Sequence, residues 1–259
     1  MKNIISDFDN NKFKKVGYIV LEGILNHDFL ELARNKCDLA LRTKEKMMRD
    51  TGKLDDGINL LNRRYFIGEY HKVEQELNDI IFSDLMAMLC LNTIGTTAYF
   101  KSEQFVVKFH DPQSVFTWHQ DSGYSVYMGG AEVHEPYVAF WVALDDMTKE
   151  NGTISILPFD RAGGGQLVKH KWSEYESAMV GYAGEDPGEL IEVSAGSIVC
   201  FSSFTLHRSG SNKLDRPRRS WVLHYTPKIF YYHDQPQRPY FDGQIFLRNG
   251  KRVDSLLKK

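Results

Sequence analysis

Disulfides, membrane spans and a dominant charge are all missing from this chain of 259 residues. Its three cysteines, Cys37, Cys90 and Cys200, are odd in number, widely spaced and set among apolar residues. That excludes a disulfide framework or a zinc knuckle and points to reduced, buried thiols in a cytoplasmic protein. No apolar run approaches the ~18 residues that span a bilayer, and the N-terminus "MKNIISDFDNNKFKK" is too polar and acidic for a signal peptide. Lysine and arginine number 32 against 34 aspartate and glutamate, a formal charge of -2. So even a balance gives no field for capturing nucleic acid or an anionic membrane, and leaves a small molecule as the expected partner. Repeats and low-complexity tracts are also absent.

What is present is apolar and aromatic material, 42% and 13% of the chain, enough for one large core; residues 1–259 are therefore read as a single domain. Its character changes near residue 100. The first part reads as helical support. "NHDFLELARNKCDLALRTKEKMMRDTG" offers Asn26 as N-cap, carries Phe29, Ala33, Cys37 and Ala40 or Leu41 at helical spacing, and stops at Gly52. A second helical segment over 71–91 puts Val73, Leu77, Ile80, Ile81, Leu85 and Leu89 on one side, and "VGYIVLEGIL" predicts a short first strand ended by Gly23.

From about residue 100 to 230 short runs rich in Val, Ile, Phe, Tyr and Trp alternate with Gly, Pro, Asn and Asp, a β pattern. Strands are predicted over 105–109, 137–144, 153–157, 190–193, 197–206 and 219–226, which suits a sandwich or jelly roll flanked by the helices. Residues 159–189 form a long mixed connection of the kind that makes lids and binding loops.

Within "FTWHQDSGY", His119 and Asp121 stand two apart. On an extended segment they project to the same side and can offer a nitrogen and a carboxylate oxygen to one ion. His207 ends the strand-like run "SIVCFSSFTLH", where an antiparallel sheet would bring it beside the pair. Two His and one carboxylate leave three positions open, the arrangement of non-haem Fe(II) oxygenases. Of the other histidines, His27, His71, His134, His170 and His233 lie in polar stretches and read as surface residues, while His110 and His224 suit ordinary hydrogen-bonded positions in or beside strands. Eleven residues after His207, past the turn formers of "HRSGSNKLD", comes Arg218, near the start of a returning strand. Its planar fork matches the far carboxylate of a keto acid whose other end chelates iron, and Ser220, on the same face, can add a hydroxyl.

The order "WHQD", "FWVALDDMTKENGTISILP", H-x-S-x-x-N and "RPRRS" resembles the phytanoyl-CoA dioxygenase-like family of Fe(II)- and 2-oxoglutarate-dependent oxygenases. The resemblance covers roughly residues 100–227 and, more loosely, the helical start. It implies a double-stranded β-helix, a cupin-like jelly roll, with Fe(II), 2-oxoglutarate and O2 as cofactors and cosubstrates. By position it implies that His119, Asp121 and His207 bind iron and that Arg218 holds the distal carboxylate of 2-oxoglutarate, with Trp141 and Gln104 lining the cosubstrate pocket. Asn151 and Gly152 read as a hairpin turn. Two departures alter the rim: Pro158 is followed by Phe159, Asp160 and Arg161 where many relatives have Gly-Ser-His, and Arg208 replaces the Gly after the distal histidine. An acyl-CoA substrate therefore cannot be borrowed from the best known relatives.

An intact carboxylate at Asp121, where related halogenases have a small residue, argues for a hydroxylation-type outcome, with desaturation and cyclisation open to the same chemistry. Rival readings are a non-catalytic jelly-roll binding protein and a Zn-dependent hydrolase, neither of which needs Arg218. The substrate side is expected to draw on Phe109, Trp118, Tyr124 and Tyr127, the long connection and "KIFYYHDQPQRPYF", with Arg63, Arg64, Arg161 and Arg208 as basic residues near the mouth.

Overall fold

The structure, a computed structural model, describes residues 9–174 and 178–253. Most of the N-terminal stretch weighed as a leader, residues 1–8, lies outside them. Among the described residues no helix is long and apolar enough to cross a membrane. Helix α1 (Asn10–Val16) is capped by Asp9, whose carboxylate accepts from Asn11 and Lys12. Helix α2 (His27–Thr51) starts as the sequence predicts, with the Asn26 side chain accepting from Phe29 N at 2.8 Å, and ends where Gly52 turns left-handed at φ 67°.

The segment over 71–91 is not one helix. It breaks into two 3-10 turns, a short α3 (Asn78–Ile81) and α4 (Asp84–Thr93), because Ser83 accepts from Met86 N and caps a fresh helix. Val73 consequently points to solvent, 71% exposed, while Leu77, Ile80 and Ile81 are fully buried.

Along the chain the strands are β1 (Tyr18–Leu21), β2 (Arg64–Gly68), β3 (Ala98–Lys108), β4 (Phe116–His119), β5 (Val138–Ala143), β6 (Ile154–Leu157), β7 (Lys171–Ser173), β8 (Ala178–Val180), β9 (Glu189–Leu190), β10 (Ile198–Ser202), β11 (Leu206–Ser209), β12 (Arg218–Thr226), β13 (Gln244–Arg248) and β14 (Lys251–Arg252), with a further helix α5 (Asp121–Tyr127) after β4. The larger antiparallel sheet has the order β1-β10-β5-β12-β3-β13-β14, with β2 also paired to β3; the smaller has the order β4-β11-β6-β9. This is the expected mainly-β jelly-roll core with helices on one side.

Strand alternation assigns the two faces of the large sheet. Phe105, Val107, Phe140, Val142, Trp221 and Leu223 join the core shared with the helices, while Val106, Trp141, Phe201 and Val222 turn inward and meet Ile154 and Ile156 of the small sheet.

Other strand expectations change in instructive ways. The run expected as one strand over 197–206 is two, β10 and β11, in different sheets, separated by a turn in which Thr205 N donates to Ser202 O. Asn151 and Gly152 turn the chain, but between the two sheets and not within a hairpin. Only Glu189–Leu190 forms a strand near 190–193, and Val193 makes an isolated bridge to Met147. The N-terminal 100 residues also supply β1 and β2 to the sheet, and residues beyond 230 add β13 and β14.

The broken helix is testable. Leu77→Ala is expected to cost about 2–5 kcal/mol in urea unfolding, whereas Val73→Ala should stay within about 0.5 kcal/mol. Equal losses at both positions would restore the continuous amphipathic helix.

Candidate metal and cosubstrate site

The site is assembled where β4 and β11 meet. His207 pairs directly with His119 across these antiparallel strands, and the two rings lie 4.2 Å apart between centroids. The His-x-Asp pair straddles a junction instead of lying on one extended segment: β4 ends at His119, Gln120 is still extended, and Asp121 opens α5. Extended backbone through Gln120 suffices to send both side chains the same way. One ligand atom from each of His119, Asp121 and His207 lies within 4.8 Å of the others, and His207 Nε2 is 3.6 Å from Asp121 Oδ1.

Each group is oriented by its neighbours. His119 Nδ1 donates to Thr117 O at 2.8 Å and His207 Nδ1 donates to Thr205 O at 3.1 Å, which fixes both tautomers and leaves both Nε2 lone pairs free. Burial, reinforced by His207, pushes the His119 pKa down to about 3, so its imidazole is neutral near pH 7. Burial alone would raise the Asp121 carboxyl, but the imidazoles of His207 and His224 outweigh it and hold that carboxyl below the usual carboxylate range. His224 Nε2 donates to Asp121 Oδ2 at 3.2 Å while its Nδ1 faces Ser102 Oγ, also at 3.2 Å. Two imidazoles and one carboxylate converging in this way fit a single divalent ion with open positions.

Arg218 closes one end of the adjoining cavity, about 70 Å³, which His119, Asp121, His207, Gln104 and Trp141 also line. The guanidinium is buried; Nη2 donates to Gly152 O at 2.6 Å and Nη1 to Ser220 Oγ at 3.1 Å, yet Nε has no acceptor among the described residues. An orphaned, buried guanidinium donor facing a cavity fits an incoming carboxylate. Gly152 is required there: its φ is +74° and a Cβ would come within 2.4 Å of Gly210 O.

The family profile for phytanoyl-CoA dioxygenase (PhyH) matches residues 13–220. The chain belongs to that family. As a PhyH-family protein it is an Fe(II)- and 2-oxoglutarate-dependent oxygenase enzyme. Among solved structures it is similar to the non-heme monooxygenase ThoJ (20% identity, 85% of this chain and 77% of that one, TM-score 0.65) and to the carbocyclase SnoK from nogalamycin biosynthesis (15%, 98% and 93%, TM-score 0.63). EctD from S. alaskensis, solved with 2-oxoglutarate and 5-hydroxyectoine, is 19% identical over 91% of this chain and 83% of its own, with TM-score 0.63. These likenesses establish the fold. No curated protein sequence matches the chain significantly.

The remaining site expectations divide by strand face. Tyr124 lines the cavity beside the triad, its ring edge-on to His119 at 5.2 Å and stacked on Phe116. Phe109 does not: it continues the Phe105 and Val107 row toward the helices and packs edge-on to Tyr65. Trp118 points to the opposite face of β4 from His119, where it packs with Leu157 and Leu206 under the Arg208 guanidinium. Arg161 lines neither cavity beside the triad and is paired with Asp186 and Glu189, and Arg63 is paired with Asp111. Buried Arg64 donates to Gly57 O and Ile58 O; Arg208 lines the smaller cavity beside the triad.

Three histidines read as surface residues are engaged: His71 with Glu103, His134 with Ser122, and His170, whose Nε2 accepts from Gln120 N at 2.9 Å. The residues missed by sequence reasoning are His224 and Lys101. His224 had a signal, since Arg218, Ser220, Val222 and His224 share one face of β12.

His224→Ala is expected to weaken Co(II) binding about 10- to 100-fold, read from the absorption of anaerobic protein, with circular dichroism unchanged. Unaltered affinity would mean that Asp121 is oriented without His224.

Proposed function

We propose that this PhyH-family oxygenase hydroxylates an unactivated C–H bond of a small molecule in the cytoplasm, with iron held by His119, Asp121 and His207 and the distal carboxylate of 2-oxoglutarate held by Arg218 and Ser220. The observation that carries this reading is that a potential metal triad and a buried guanidinium with an unpartnered Nε face the same cavity. A zinc hydrolase or a binding module has no use for that guanidinium. EctD, solved with 2-oxoglutarate and a hydroxylated small molecule, supports the choice of outcome, as does the intact carboxylate of Asp121. Three buried free cysteines support a reducing compartment.

Bound iron, with the keto acid and O2, supplies hydrogen abstraction from carbon coupled to decarboxylation of 2-oxoglutarate to succinate and CO2. The protein's own contribution is geometric and electrostatic. The anchored Nδ1 atoms of His119 and His207 aim both Nε2 atoms, and His224 keeps Asp121 turned toward them. Arg218, pushed down to about 10 by burial, remains a cation at pH 7 and fixes the keto acid from its far end, while Trp141, 5.9 Å from the guanidinium carbon, walls the pocket against water. Gln104 lines both this cavity and a larger one on the other side of the triad. That larger cavity is the substrate side.

Anaerobic titration of metal-free protein with Fe(II) and then 2-oxoglutarate should produce the visible charge-transfer band of a chelated keto acid. Asp121→Ala should lose it, and Arg218→Ala should move it to at least about tenfold higher 2-oxoglutarate. Arg218→Lys should not restore the affinity, because an ammonium cannot make the bidentate contact. Absence of the band in folded wild-type protein would return the chain to the binding-module reading.

A further inference from the structure

The cavity on the substrate side of the triad, about 270 Å³, is lined by His119, Asp121, Tyr124, Tyr137, His224 and Tyr240 among others, and it contains one lysine, Lys101. That lysine enters through a break in strand register. On β3, Ser102 pairs with His224 and Phe100 pairs with Tyr225, which leaves Lys101 as an extra residue with no partner on β12. Phe100 faces the helices and Ser102 faces His224, so the bulge puts two consecutive side chains, Lys101 and Ser102, on the inner side. Strict alternation would allow only one.

The Lys101 ammonium lies 4.7 Å from the ring centre of Tyr137 and 5.6 Å from that of Tyr240. Aromatic faces accept a cation but do not neutralise it. Among the described residues no carboxylate lies within salt-bridge distance of it. The other acidic groups of the lining are committed: Asp121 to His224, Glu103 to Trp221 and His71 on the helix side, and Glu69 to Lys72. Burial pushes Lys101 down to about 8, with Asp121 opposing the shift, as expected of a cation short of a counter-charge. In the same cavity lining Phe116 and Tyr124 stack at 5.9 Å and present an apolar wall.

We infer that Lys101 is the anchor for an oxyanion carried by the substrate, so that the substrate class is a small molecule with a carboxylate or phosphate group and an apolar body. Resting on the proposed oxygenase site, this inference assigns the substrate end of that cavity: the oxyanion sits on Lys101, the body lies along Phe116 and Tyr124, and the carbon to be oxidised faces the triad. Of the basic residues suggested by sequence, Arg63, Arg64 and Arg161 are engaged elsewhere, and Arg208 lies over Trp118, donates to Pro187 O and does not line this cavity, so selection for an anion falls to Lys101.

The test uses para-(trifluoromethyl)benzoate, its neutral amide and para-(trifluoromethyl)phenylphosphonate as probes of the full chain saturated with Fe(II) and 2-oxoglutarate under anaerobic conditions, read by fluorine NMR line broadening. At least one anion should bind about tenfold or more tightly than the amide, and which one does so separates carboxylate from phosphate substrates. Lys101→Met should abolish the preference, Lys101→Arg should keep most of it, and in both variants the 2-oxoglutarate charge-transfer band should persist. Equal binding of acids and amide, binding of none of the probes, or a preference that survives in Lys101→Met would overturn the inference. Because probe binding is read independently of the band, its loss with the band intact removes the substrate anchor alone, whereas a missing band removes the oxygenase site.

Discussion

A carboxylate can stay ionised inside a protein only if its surroundings replace water, and for Asp121 the N–H of His224 does so. His207 Nε2 is 3.6 Å away on one oxygen and His224 Nε2 is 3.2 Å away on the other. Because His207 comes from the small sheet and His224 from the large one, this one carboxylate stands where the two sheets face each other. The desolvation that burial imposes is offset by partners whose orientation the strands fix. Gln120, between the two proposed ligands, reinforces the arrangement: its side chain donates to Gln166 O at 2.9 Å and accepts from Val168 N at 2.8 Å. The long connection is thereby pinned to the site it covers.

The two-sided large sheet then divides labour by residue parity. One face, with Phe105, Trp221 and Leu223, supplies the core against the helices; the other carries Gln104, Trp141, Arg218 and His224 into the cavities. Single residues decide membership, which is why Phe109 and Trp118, each adjacent to an inward residue in sequence, lie outside the site. Two bulges interrupt the parity where the chemistry needs more than alternation gives. One admits Lys101; the other, between His207 and Ser209 against β4, sets Phe116 on the same side as His119 three positions on.

What sequence alone settled about this protein is the set of strongly local signals. The Asn26 cap and Gly52 stop of α2 were legible because capping is decided within a few residues, and the order of His119, Asp121, His207 and Arg218 was legible because their chemistry is rare in combination. Tertiary structure decided the rest. Helix 71–91 fractured because Ser83 found a better use as a cap, a competition that periodicity does not weigh. The roles of His224 and His170 depended on partners 103 and 50 residues away, at Asp121 and Gln120. Lys101 was invisible because a bulge is a property of two paired strands, and one strand's sequence carries no record of the register its partner will impose.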